Sequence, residues 1–173
     1  GFTVFNPVHL GGLFSVFNAD AVERAELFAG GFGAEFGGRV SSVLNIESRP
    51  DAPDSTEFVG GVSLLATRLL VRGRAPSLSA DSAGSWYLSG RRSYFDQLLR
   101  PVADFPYHLT DLQAGSSLST RGGGQLSLTG YWGEDVLDLS NFGEGGDGAS
   151  DVLRLRWRWG NQVVGARLMQ PLR

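Results

Sequence analysis

The sequence predicts a mostly β chain: a glycine-pivoted N-terminal part, then about seven antiparallel strands. Three observations carry this reading. Residues 152–159 alternate with period two, Leu153, Leu155, Trp157 and Trp159 on one side and Arg154, Arg156 and Arg158 on the other; a helix would spread these around its circumference, a strand separates them. Glycine is abundant, 25 of 173 residues, about twice the usual ~7%. No apolar run approaches the ~18 residues of a membrane helix, and the mean hydropathy of −0.07 is what alternating strands average to.

Along the chain, residues 1–20 are apolar, with turn signals at Asn6 and Pro7 and at Gly11 and Gly12. Asp20 is placed to N-cap a short helical turn over 21–24, with Glu23 completing a capping box. AELF at 25–28 reads as a strand. The stretch 30–46, GGFGAEFGGRVSSVLNI, sets Gly30, Gly31, Gly33, Gly37 and Gly38 around Phe32, Glu35 and Phe36. It reads as a packed turn that delivers the strand VSSVLNI, because glycine permits positive φ and close approach. The polar run ESRPDAPDST at 47–56 marks the boundary between a first part, 1–50, and a second, 51–173.

Beyond the boundary the period is two. Leu126, Leu128 and Trp132 oppose Gln125, Ser127, Thr129 and Tyr131; Val164, Ala166 and Leu168 oppose Gly165 and Arg167; Trp86 and Leu88 oppose Ser85 and Ser89. Tight turns are expected at 120–124 and at Gly160 and Asn161, and long loops at 97–109 and 138–150. Placing the tight turns at one end puts 73–84 there too, so 57–72 must hold two strands joined near 63–65. Short turns opposite long loops is the pattern of outer-membrane barrels. The same strand pattern also describes a soluble β-sandwich.

Composition excludes several classes. A net charge of −3 and a pI near 5.3 give no basic surface for nucleic acid. All 15 basic residues are Arg, and cysteine is absent, which removes disulfides and thiolate metal sites. His9 and His108 stand apart from other ligand-type residues, so they read as solvated or hydrogen-bonded rather than metal-bound. GGFGAEFGG lacks the GxGxxG spacing and a following Lys-Ser/Thr, so it is no phosphate loop. GEGGDGASD at 143–151 is oxygen-rich but lacks EF-hand spacing. Glu134, Asp135 and Asp138 fall at a strand end, where acids serve solvation. No nucleophile–base arrangement is recognisable, so neither an enzyme nor a cofactor is expected.

FNADAVERAELFAGG (17–31) and GGFGAEFGGRVSSVLNI (30–46) resemble the end of the plug domain of TonB-dependent outer-membrane receptors. GGVSLLATRLLVRG and SWYLSGRRSYFD resemble the first barrel strands of that family. The plug likeness covers about residues 1–50 and departs at Ala29, where a basic residue is usual, and at Gly33, where Pro is common. The resemblance implies a plug-domain remnant followed by an incomplete antiparallel transmembrane β-barrel, its strands the first of about 22. It implies uptake of a scarce solute (siderophore, vitamin, or glycan or peptide) in the bacterial outer membrane. The partners would be TonB, acting through an N-terminal box outside these residues, the membrane lipid and the solute. The chain is thus expected to be an internal piece of a longer receptor.

Within that frame, 30–46 would anchor plug to wall. Glu35, Arg39, Arg91 and Arg92 are the candidate plug–barrel contacts, and Gly30, Gly31, Gly37 and Gly38 the structural glycines. Arg68, Arg72, Arg91, Arg92, Arg154, Arg156 and Arg158 would face the lumen, pairing with plug carboxylates such as Glu35 or forming an electropositive wall. Tyr87, Tyr94, Tyr131, Trp86, Trp132, Trp157 and Trp159 would lie in the interfacial girdles. The alternative is a soluble adhesive or carbohydrate-binding β-sandwich module, separable from the first by detergent dependence.

Overall fold

The computed structural model describes residues 2–5, 7–38, 41–48, 52–76, 84–98, 101, 106–120, 123–140 and 155–171. In it, strands β1 (Val8–His9) and β2 (Phe14–Ser15) pair across a 3-10 turn at Leu10–Gly12. A second 3-10 turn, Ala19–Ala21, follows. Its cap is Asn18, whose side chain accepts from the Asp20 N–H at 3.2 Å, rather than Asp20 itself. The chain is then already extended: β3 (Val22–Phe28) includes Glu23, so the expected helical turn over 21–24 is displaced towards the N-terminus.

β3 pairs antiparallel with β4 (Val43–Ser48), Leu27 opposite Leu44. The glycine-rich stretch is the connection between them. It holds a 3-10 turn at Ala34–Phe36, with Gly31 at φ 65° before it and Gly38 at φ 78° after it. Phe36 packs on Phe28, ring centroids 5.5 Å apart.

The larger body is a six-stranded antiparallel sheet in which each strand neighbours the next in sequence: β5 (Glu57–Val62), β6 (Ala66–Ala75), β7 (Gly84–Ser93), β8 (Tyr107–Ser119), β9 (Gln125–Asp138) and β10 (Arg156–Met169). Residues 57–72 do hold two strands joined at 63–65, where the Ser63 hydroxyl accepts from the N–H groups of Leu65 and Ala66. The connections at 76–83 and 120–124 share one end of the sheet, those at 63–65, 94–106 and 139–155 the other.

The sheet has six strands instead of seven because Gly160 and Asn161 make no hairpin. They sit inside β10, in unbroken register opposite Glu134 and Gly133. Continuity fixes parity: odd-numbered residues of β10 face one side throughout and even-numbered ones the other. Trp157 and Trp159 therefore lie opposite Val164, Ala166 and Leu168, although each set is apolar. The sequence places two half-strands of opposite phase in one strand, and that phase change imitated a turn.

The two faces differ in chemistry. One is overlaid by the N-terminal segment and carries Glu57, Arg68, Arg72, Arg74, Arg91, Asp111, Asp135 and Arg167 among the serines, threonines and glutamines of the central strands. The other is open. It carries Phe58, Val62, Leu69, Val71, Trp86, Leu88, Leu112, Leu118, Leu126, Leu128, Trp132, Val164, Ala166 and Leu168 in a band without a charged residue. Val164 is 90% exposed and Phe58 72%. Charge on the open face of the strands gathers at the end bearing 94–106 and 139–155. There Arg158 meets Glu134 at 2.8 Å, Arg156 meets Asp138 at 3.5 Å, and Arg92 donates to Thr110 at 3.0 Å.

What the N-terminal segment buries is a small aromatic core. Phe95, which opens the one-turn helix α1 (Phe95–Leu98), packs with Tyr107 and Leu109, and against them lie Leu10, Phe14, Leu137 and Trp159. The rings run as a chain, Phe14 to Phe95 at 5.6 Å, Phe95 to Tyr107 at 6.2 Å and Tyr107 to Trp159 at 6.4 Å. No described helix is long and apolar enough to cross a membrane.

Candidate functional site

Where the first fifteen residues meet the sheet, charges converge out of solvent. Asp111 lies on β8 and Asp135 on β9. The register sets Asp111 opposite Gly133, two residues from Asp135, so both carboxylates project from the same face. A side chain at Gly133 would run into the Tyr131 hydroxyl and come within 2.9 Å of Asp111 Oδ1; the bare backbone leaves room for that hydroxyl. His9 lies between the two carboxylates, 2% exposed, its Nδ1 at 2.7 Å from Asp135 Oδ2 and its Nε2 at 2.8 Å from Asp111 Oδ1.

The remaining oxygens are also used. Asp111 Oδ2 accepts from Arg91 Nε at 2.9 Å, its Oδ1 from the Tyr131 hydroxyl at 2.9 Å, and Asp135 Oδ1 from the Tyr107 hydroxyl. Buried carboxylates are tolerated when paired and fully hydrogen-bonded, and this pair is. Arg91 also donates to the Ser15 carbonyl, which ties the same guanidinium to the overlying segment.

Burial alone would strip the His9 proton. The two carboxylate hydrogen bonds and their charges together outweigh that desolvation and push the imidazole up to about 9. The ring nitrogens agree: both face carboxylate oxygens, and only the imidazolium donates from both.

Further contacts run outward from this centre. Gln113 donates to the Val16 carbonyl at 3.2 Å and Asn18 to Ser89 at 2.6 Å. Asp20 meets Arg68 at 3.1 Å, and Tyr87 donates to Ser48 at 2.9 Å. Chemically, the arrangement is a set of tethers, and at its centre His9, Arg91, Asp111 and Asp135 satisfy one another.

The expected site residues divide. Arg91 reaches the overlying segment. Arg92, its neighbour on β7, points to the open face, because adjacent strand residues cannot share one. Glu35 is exposed, its carboxylate folded back over Gly33, with no ion pair among the described residues. The N-terminal acid that meets the sheet is instead Asp20. Arg39 lies outside the described residues, as do Leu153, Arg154 and the 143–151 motif. Gly30, Gly31 and Gly38 take positive φ (157°, 65° and 78°), which side chains rarely adopt; Gly37, at φ −49°, does not.

Of the arginine set, Arg68, Arg72 and Arg91 share the covered face, and Arg72 pairs with Glu57 of the adjacent strand. Arg156 and Arg158 are on the open face, the reverse of the expectation, as the parity of β10 requires. Trp86 and Trp132 keep the open face; Tyr87, Tyr131, Trp157 and Trp159 do not. The His9 cluster was missed because its members stand 102 and 126 residues apart. The one local sign, a lone Asp111 within the alternation of β8, is weak alone.

Comparison of the chain with protein-family models, with curated proteins and with solved structures returned no match.

Proposed function

We propose that this chain is part of a TonB-dependent outer-membrane receptor, with residues 1–50 from the end of the plug and 51–173 from the first staves of the barrel. The observation that carries the proposal is the inverted sheet. The face that carries Arg91, Asp111 and Asp135 is covered by the preceding segment, and the face that carries the uncharged apolar band is bare. A soluble sandwich buries the apolar face and wets the polar one; a barrel stave meets lipid with the first and a polar interior with the second.

Three features support the reading. Neighbour-to-neighbour strand order is that of up-and-down barrels. On β10, residues 160–168 form an uncharged open-face stretch, close to the ~9–11 residues that cross a bilayer. Trp132 borders the charged end of the band, and Trp86 stands near the opposite end, as interfacial residues do. The plug likeness of 17–46 adds the direction of transport: a scarce solute taken inward, with TonB supplying the pull.

The test is where the protein resides and what its apolar face needs. The full-length protein should remain in the membrane pellet after alkaline carbonate extraction, and residues 1–173 alone should require detergent. A cooperative melt of monodisperse 1–173 in plain buffer would instead support the soluble sandwich.

A further inference from the structure

We propose that His9 is a proton-dependent latch, whose imidazolium holds residues 8–16 against the sheet and whose deprotonation frees them. The latch itself stands on geometry; that it restrains a plug rests on the reading above.

Charge arithmetic is the core of it. The groups facing the ring are Asp111 and Tyr107 from β8, Asp135 and Tyr131 from β9, and Arg91 from β7. With His9 protonated, two cations meet two carboxylates. A neutral ring donates from one nitrogen only, so one carboxylate loses the ring as a donor and the buried cluster holds an uncompensated negative charge. The overlying segment has no substitute cation: in residues 2–21 the other charged side chain is Asp20, paired with Arg68.

The backbone beside the latch is primed to move. Leu10 sits at φ 46°, a left-handed conformation unfavourable for leucine, followed by Gly11 at φ 63° and Gly12 at φ 107°. Packing of Leu10 in the aromatic core and anchoring of His9 hold it there. Losing one anchor lets this turn relax.

The sign follows from the raised folded-state value. The contribution is complete below about 6.5, the ordinary histidine value, and is lost as pH rises through about 9.

Hydrogen exchange of the backbone amides of 10–16, in the full-length protein in lipid bilayers and corrected for intrinsic rates, reads the latch directly. Protection should fall with a midpoint near 9. Asp135→Asn should lower that midpoint by at least one unit, as expected for loss of a facing charge. His9→Gln should give low protection with no midpoint. In His9→Ala, added imidazole should restore protection at pH 6 and fail to do so at pH 10. Protection that stays flat from pH 6 to 10 in the unmodified protein, or equal protection in His9→Gln, overturns the latch. Membrane attachment is scored separately: a soluble protein with the midpoint intact defeats the receptor reading alone, and an embedded one with a flat profile defeats the latch alone.

Discussion

At position 133 even a Cβ has no room. Replacing this glycine with alanine drives a methyl into the Tyr131 hydroxyl and against Asp111, so Gly133→Ala should cost about 1–3 kcal/mol. Gly130, on the same strand but on the open face, has nothing within 4 Å of an added Cβ. Gly130→Ala should stay within about 0.5 kcal/mol. Urea midpoints of the two variants in lipid vesicles give the comparison. Tyr107→Phe removes the hydroxyl that donates to buried Asp135 and keeps the ring in the aromatic core. A loss of about 2 kcal/mol is expected, the usual worth of a hydrogen bond to a charged group; a neutral result in the same assay would mean that water replaces the hydroxyl. None of these three residues stands out in the sequence, because what makes each matter is a neighbour on another strand.

The hairpin of β3 and β4 was legible as a glycine-pivoted turn feeding a strand, since φ freedom and the Phe pair are local properties. Which glycines matter was not, because a glycine's φ is set by the path of the whole connection. Gly38 at φ 78° should tolerate valine poorly, at about 1–2 kcal/mol or more. Gly37→Val avoids that strain: its Cβ would meet the Ala34 carbonyl at 3.5 Å, an ordinary contact. Exchange protection of the β3 and β4 amides should therefore drop in Gly38→Val and hold in Gly37→Val. β10 teaches the complementary lesson. Among the described residues the alternation holds within each half, and the error lay in placing a turn between the halves. Fourteen consecutive pairs with β9 keep the strand extended through Gly160.

At the level of the whole molecule, the distinction that matters is which face is wet. If the open face meets lipid, Leu128→Arg places a guanidinium in the apolar band at roughly 2–4 kcal/mol near the bilayer midplane. The same change at Ser127, one residue away on the covered face, should cost far less. Yield of folded protein in the membrane separates the two, and equal yields would mean that the band never contacts lipid. Six strands with one neighbour each at β5 and β10 also leave two pairing edges among the described residues, which a closed wall would satisfy.

What the sequence determined by itself is the mostly β character and two chemically opposed faces, because side-chain alternation is built into an extended backbone. Only the tertiary structure decided which face each half of β10 presents, that Asp20 rather than Glu35 meets the sheet, and that His9 lies between Asp111 and Asp135. Those outcomes depend on strand continuity and on contacts across more than a hundred residues, which no local pattern encodes.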